Sequence, residues 1–185
     1  MDASGLLATF QRSVEQYTMR YTEFLGDGDS EAHKLIVEEA VYGEKQVSKL
    51  ECVGHVQKRL GSGLRSLKKR MGQTRLEDGK PIGGTGRLTK SKIDQLQVYY
   101  ERAIRNNTRG IQSMHDAVMA IWFHTQSTDD NSDHDLCPPG ENSWCGFQRD
   151  LAKGTSDYEH AHPLPGAVAN AIHPVFEALS DEDLL

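Results

Sequence analysis

The chain has 185 residues, 37% of them hydrophobic, and a formal net charge of -6; its mean hydropathy of -0.61 describes a soluble protein with a modest core. No run of about 18 apolar residues occurs, which excludes a membrane-spanning helix. The opening segment MDASGLLATFQRSVEQ lacks the basic and apolar regions of a secretory signal. Three cysteines, an odd number, argue against a disulfide scaffold and suit a reducing compartment, so nucleus or cytoplasm is expected.

In chain order, Leu6, Leu7, Phe10 and Val14 recur at helical spacing and predict an opening helix. Met19 to Leu25 alternates, carries aromatic and β-branched residues, and is stopped by Gly26, so it reads as a short strand. Ser30 is placed to cap a helix through about Val41. Val47 to Cys52 reads as a second short strand or as the start of the next helix. Val53, Val56, Leu60, Leu64, Leu67 and Met71 then form one apolar stripe, the clearest helix of the chain, despite Gly61 and Gly63. A Gly-rich loop spans 78–86, and Thr89 or Ser91 starts a helix presenting Ile93, Leu96, Tyr100, Ala103 and Ile104. A further helix carries Ile111, Met114, Val118, Ile121 and Trp122, residues 125–146 read as a polar loop, and a last helix is expected from Val168 to Leu179. The expected fold class is α+β, mostly α, with about two strands.

Charge is segregated along the chain. Residues 45–92 hold thirteen Lys/Arg against three acids, a balance of +10, while 1–44 and 129–185 are acidic. On the expected helix of 53–71, Lys58, Arg59, Arg65, Lys68, Lys69 and Arg70 occupy the face away from the stripe. With Arg75, Lys80, Arg87, Lys90 and Lys92 they suit the phosphates of double-stranded DNA. No base-reading motif is visible, so sequence-independent contact is expected. A solvated helix face is the plainer reading of the same charges.

Two constellations suit metal ions. Gly26-Asp27-Gly28-Asp29 sets carboxylates at a strand end, where Mg²⁺ finds oxygen ligands; an ordinary Asx turn is the alternative. Counted from Asp27, a calcium loop fails at its sixth position, Ala32, and at its eighth, Lys34. Cys52-x-x-His55 and His134-x-x-Cys137 are mirror-image pairs able to close a tetrahedral Zn²⁺ site, with Cys145 and His124 as substitutes. The alternative is a small buried Cys52 with incidental histidines.

Arg20-Tyr-Thr-Glu-Phe-Leu-Gly-Asp-Gly-Asp-Ser30 and Lys49-Leu-Glu-Cys-Val-Gly-His-Val-Gln-Lys-Arg59 closely resemble the Mutator-like transposase domain of animal transposable elements. So do Gly86-Arg-Leu-Thr89, Tyr99-Tyr100, Ala103-Ile-Arg105, Ser127-Thr-Asp129, His134-Asp-Leu-Cys-Pro138 and Ser143-Trp-Cys145. The resemblance implies an RNase H-like core that cuts and joins DNA with two divalent metals, Mg²⁺ or Mn²⁺, held by Asp, Asp and Glu. Asp27, or failing it Asp29, matches the second Asp. The first Asp is expected upstream of Met1 and the Glu beyond Leu185, since Glu177 and Glu182 match it poorly. Residues 1–52 then form part of the core, 53–146 a helical zinc-stabilised insertion, and 147–185 a helical segment leading back towards the core. The expectation is a transposase fragment inactive by itself; the alternative is a non-catalytic, zinc-stabilised DNA- or protein-binding module. Self-association is compatible with either.

Overall fold

The computed structural model describes residues 3–26 and 30–181, with the side chain of Ser30 left aside. In chain order the described elements are α1 (Ala3–Tyr17), β1 (Glu23–Gly26), α2 (Ser30–Glu38), β2 (Ser48–Glu51), α3 (Val53–Met71), α4 (Lys90–Asn106), α5 (Ile111–Gln126), α6 (Gly146–Lys153) and α7 (Gly166–Leu179). The protein is therefore α+β and mostly α. It divides into two compact units, Met1–His55 and Val56–Leu185.

In the first unit α1 turns Phe10 inward against Ile36, Tyr42 and Val47. The Tyr21 ring meets Phe10 edge-on at 5.4 Å. Tyr42 holds this core together through its hydroxyl, which lies 2.7 Å from the buried Ser13 hydroxyl and accepts from the Tyr21 amide at 3.1 Å. β1 and β2 are parallel, with Leu25 opposite Leu50 and Gly26 opposite Glu51. β1 is shorter than the alternation of Met19–Leu25 predicts, because only four residues of β2 pair with it and Thr18 leaves α1 with φ 54°. α2 stops at Glu38 rather than near Val41, since Ala40 takes a left-handed φ of 42° and breaks the helical ladder. Parallel strands need a crossover, and α2 supplies it.

In the second unit α3 buries Val56, Leu60 and Leu64, the inner part of the predicted stripe. The two glycines that weaken this helix by propensity both lie against neighbouring side chains. A Cβ on Gly61 would lie 1.8 Å from the Gln97 side chain, and one on Gly63 would lie 3.0 Å from Val175. At Gly61 the neighbouring atoms are the ends of flexible side chains, which could shift, whereas at Gly63 an added Cβ would press on Val175; each glycine costs the helix roughly 1 kcal/mol against Ala. α4 starts where its sequence indicates: the Thr89 hydroxyl caps it by accepting from the Lys92 amide at 3.1 Å. Its buried residues are Ile93, Leu96, Tyr100, Ala103 and Ile104.

α5 buries Val118, Met119, Ala120, Ile121 and Thr125. The Trp122 indole donates to the Ala169 carbonyl of α7 at 2.9 Å. Between α3 and α4, Arg87 is drawn inside the Gly-rich loop, donating to the Pro81 carbonyl at 2.6 Å and to both oxygens of Asp78. α6 begins where the polar loop read in the sequence over 125–146 ends, inside the segment from 147 expected to be helical. It is short, at eight residues with none of them buried, so its one apolar pair a turn apart, Phe147 and Leu151, is all that spacing offers. No helix among the described residues is long and apolar enough to cross a membrane.

Candidate metal centre

The last turn of α5 presents His124. Ser127, which caps that helix, then folds the chain back: its hydroxyl donates to the Asp133 carbonyl at 2.9 Å and accepts from the Asp133 amide at 3.0 Å. This return delivers His134 beside His124. The Cys137 amide donates to the His134 carbonyl at 3.0 Å, a turn that sets His134 and Cys137 on one side. Pro138, Pro139 and Gly140, the last at φ 103°, carry the chain round to Cys145, the N-cap residue of α6. Gln148 of α6 donates to the His134 carbonyl at 2.9 Å and Arg149 to the Ser143 carbonyl at 2.7 Å, so the helix pins both ends of the loop.

These turns bring His124, His134, Cys137 and Cys145 together, with one ligand atom from each and all four atoms within 4.8 Å of one another. The Nδ1 atoms of His124 and His134 are 3.2 Å apart. Cys145 Sγ lies 3.6 Å from each of them. Cys137 Sγ lies 3.7 Å from His134 Nδ1 and 4.0 Å from His124 Nδ1. A tetrahedral zinc, with bonds of about 2.0–2.1 Å to nitrogen and about 2.3 Å to sulfur, spaces its ligand atoms roughly 3.3–3.8 Å apart. The five separations therefore match the edges of such a tetrahedron to within a few tenths of an ångström, and the donor set suits the ion. With a metal bound, the four protein ligands would close its coordination shell, the form of a structural rather than a catalytic site.

The electrostatics point the same way. His134, Cys137 and Cys145 are buried, and His124 is half-buried. Burial lowers the pKa of His134, which favours the neutral imidazole a metal requires. The hydrogen bond from the Cys137 thiol brings Cys145 down to about 4, against the opposing effect of burial. That same bond, with burial, pushes Cys137 upward. Cys145 also sits at the positive end of α6, where a thiolate is favoured.

Of the six Cys and His residues singled out in the sequence, His134 and Cys137 join the two named as substitutes, His124 and Cys145. Cys52 and His55 belong to the first unit, while the four-ligand set is complete within the second. The i, i+3 spacing does bring Cys52 and His55 together. A hydrogen bond from His55, followed by those from the Gly54 and His55 amides, lowers the pKa of Cys52 at the start of α3. Asp27 and Asp29 lie outside the described residues.

Of the basic residues, Lys58, Arg65, Lys69 and Arg70 are exposed on α3, while Arg59 and Lys68 are half-buried. Arg65 faces Asp94 at 3.5 Å, an exposed pair of small net worth that leaves it able to turn to another anion. Arg87 does not join this face: 7% exposed and bonded to Asp78, it is a structural cation of its loop. Spacing and composition do not separate such a residue from its exposed neighbours.

Two further residues complete the centre: His160, which no motif singles out, and Asp129, the last residue of the Ser127-Thr-Asp129 motif. His160 Nε2 lies 2.8 Å from His134 Nε2, and His160 Nδ1 lies 2.6 Å from a carboxylate oxygen of Asp129. His160 stands in a stretch without a recognisable pattern, and only its position in space marks it.

The family model of the Mutator-like transposase matches residues 1–145. The chain belongs to that family. The match takes in all four members of the cluster and ends at the last of them, Cys145; His160 lies outside it. No curated protein and no solved structure matches the chain.

Proposed function

We propose that this chain supplies a DNA transposase with a zinc-stapled helical part that grips duplex DNA through the exposed basic face of α3. The observation that carries this reading is the four-ligand cluster inside a Mutator-like transposase: a closed His₂Cys₂ shell suits Zn²⁺ in a structural role. The ion ties the end of α5 to the start of α6 across a polar loop that has little apolar surface to hold it. Lys58, Arg65, Lys69 and Arg70 then stand on α3 as phosphate contacts, with Arg59 and Lys68 beside them. Asp27 contributes one carboxylate to the Mg²⁺ or Mn²⁺ chemistry that the family implies. A DNA substrate suits the nucleus, with the cytoplasm as the alternative location.

Binding to a labelled duplex across a salt series tests the DNA contact. Affinity should fall steeply with salt, and replacing Lys58, Lys69 and Arg70 together by Glu should lower the slope by about two to three. Salt-independent binding, or a triple variant that binds as wild type does, would refute it. The second reading, a binding module without any role in the chemistry, is favoured by the cluster being complete without Asp27. Asp27→Ala separates the two: an effect on DNA binding only when Mg²⁺ is present supports the transposase role, and no effect supports the module.

A further inference from the structure

We propose that Asp129 and His160 are positioning residues that fix His134 in the tautomer able to bind metal. This rests on the reading above that zinc occupies the cluster. With both rings neutral, the chain of contacts allows one assignment of protons. Ionised Asp129 only accepts, and the same oxygen, Oδ1, receives the His160 backbone amide at 3.0 Å and its ring Nδ1 at 2.6 Å. The proton of a neutral His160 ring is therefore on Nδ1, which leaves Nε2 as an acceptor. Its neighbour at 2.8 Å, His134 Nε2, must then be the donor. With its one proton on Nε2, His134 turns a bare Nδ1 lone pair towards His124, Cys137 and Cys145.

The ring geometry agrees. The planes of His134 and His160 differ by 16°, and their centroids are 5.1 Å apart. That separation equals the 2.8 Å contact plus one ring radius at each end, so the rings lie edge to edge rather than face to face, as an in-line N–H···N bond requires. Phe147 stacks on the face of His134 at 4.5 Å, and Tyr158 stands edge-on to His160 at 5.0 Å, so neither ring is free to turn away. The His160 side chain is 6% exposed. A ligand histidine whose second nitrogen is held by such a partner is oriented and made more basic.

The test is zinc affinity of the full chain by competition with a chromophoric chelator, together with the absorption spectrum of the cobalt-substituted chain. His160→Ala and Asp129→Ala should weaken zinc binding by about 10- to 100-fold while still reaching one ion per chain. Asp129→Asn and His160→Gln keep an accepting oxygen and should stay within a few-fold of wild type. The cobalt bands of His160→Ala should shift, because His134 is no longer held. Wild-type zinc uptake with His160→Ala and Asp129→Ala within twofold of it would overturn the positioning role alone. So would an Asp129→Asn variant as weak as Asp129→Ala, or a loss of affinity with the cobalt spectrum unchanged. A wild-type chain that takes up neither zinc nor cobalt would overturn the metal site itself.

Discussion

The Tyr100 hydroxyl donates to the Leu179 carbonyl at 2.7 Å, joining α4 to the last residue of α7 across 79 positions of sequence. The final carbonyls of a helix have no partner within it, and this one is paired in a buried bond. Burial also raises the Tyr100 phenol above its ordinary range, so it remains a donor at any moderate pH. Tyr100→Phe keeps the ring and strands the carbonyl. It should cost about 1–2 kcal/mol, read as a lower urea midpoint with an unchanged slope.

Metal content should follow the cluster. Cys145→Ser, Cys137→Ser and His124→Ala should each abolish tight zinc binding, whereas Cys52→Ser and His55→Ala should retain one ion per chain. Chelation should lower the melting temperature of the second unit by at least roughly 10 °C, because metal binding and folding of the loop are one event. Elemental analysis and thermal scans with and without chelator check both. Retention of zinc by Cys145→Ser would remove the site.

Gly146 is held to glycine by Tyr158. A Cβ at Gly146 would lie 2.2 Å from Cε2 and 2.6 Å from Cδ2 of that ring, so Gly146→Ala must displace it. The cost should be about 1–3 kcal/mol, as for other overpacked sites. Since Tyr158 flanks His160, zinc affinity should fall as well. Adding Tyr158→Leu should restore part of the stability; a double variant as unstable as the sum of the two singles would argue against the clash.

The ion pair of Arg87 with Asp78 makes a prediction in acid. The hydrogen bond from Arg87 holds the Asp78 carboxyl below the usual carboxylate range. A group whose folded pKa is depressed stabilises the fold fully above its unfolded value, about 3.9 for Asp, and loses that contribution as pH falls through the folded value. Below about pH 4, then, wild type should lose stability faster than Arg87→Met, whose overall stability should be lower at neutral pH. Denaturant midpoints across pH 2–7 check this; parallel acid limbs would exclude the pair as a contributor.

Much of the fold is legible from one residue to the next few. The stripe from Val56 to Leu64 is α3, Thr89 caps α4, and the buried residues of α4 are those its spacing picks out. These features depend on helical periodicity and local hydrogen bonds, which act over three or four residues. Cys52 with His55 and His134 with Cys137 also meet as their spacing suggests, for the same reason. What local spacing does not contain is which pairs converge. His124 enters the centre because Ser127 and Asp133 turn the chain back, and Cys145 because α6, a helix of only two turns, begins there. Arg87 reads as one more surface cation until its loop closes on Asp78. His160 finds His134 across 26 positions through a segment with no motif. By itself, the sequence determined the longer helices, the family and the kinds of ligand atom available. The tertiary structure alone decided which four atoms meet and what holds them, because a metal shell is a condition on distances among residues far apart in the chain.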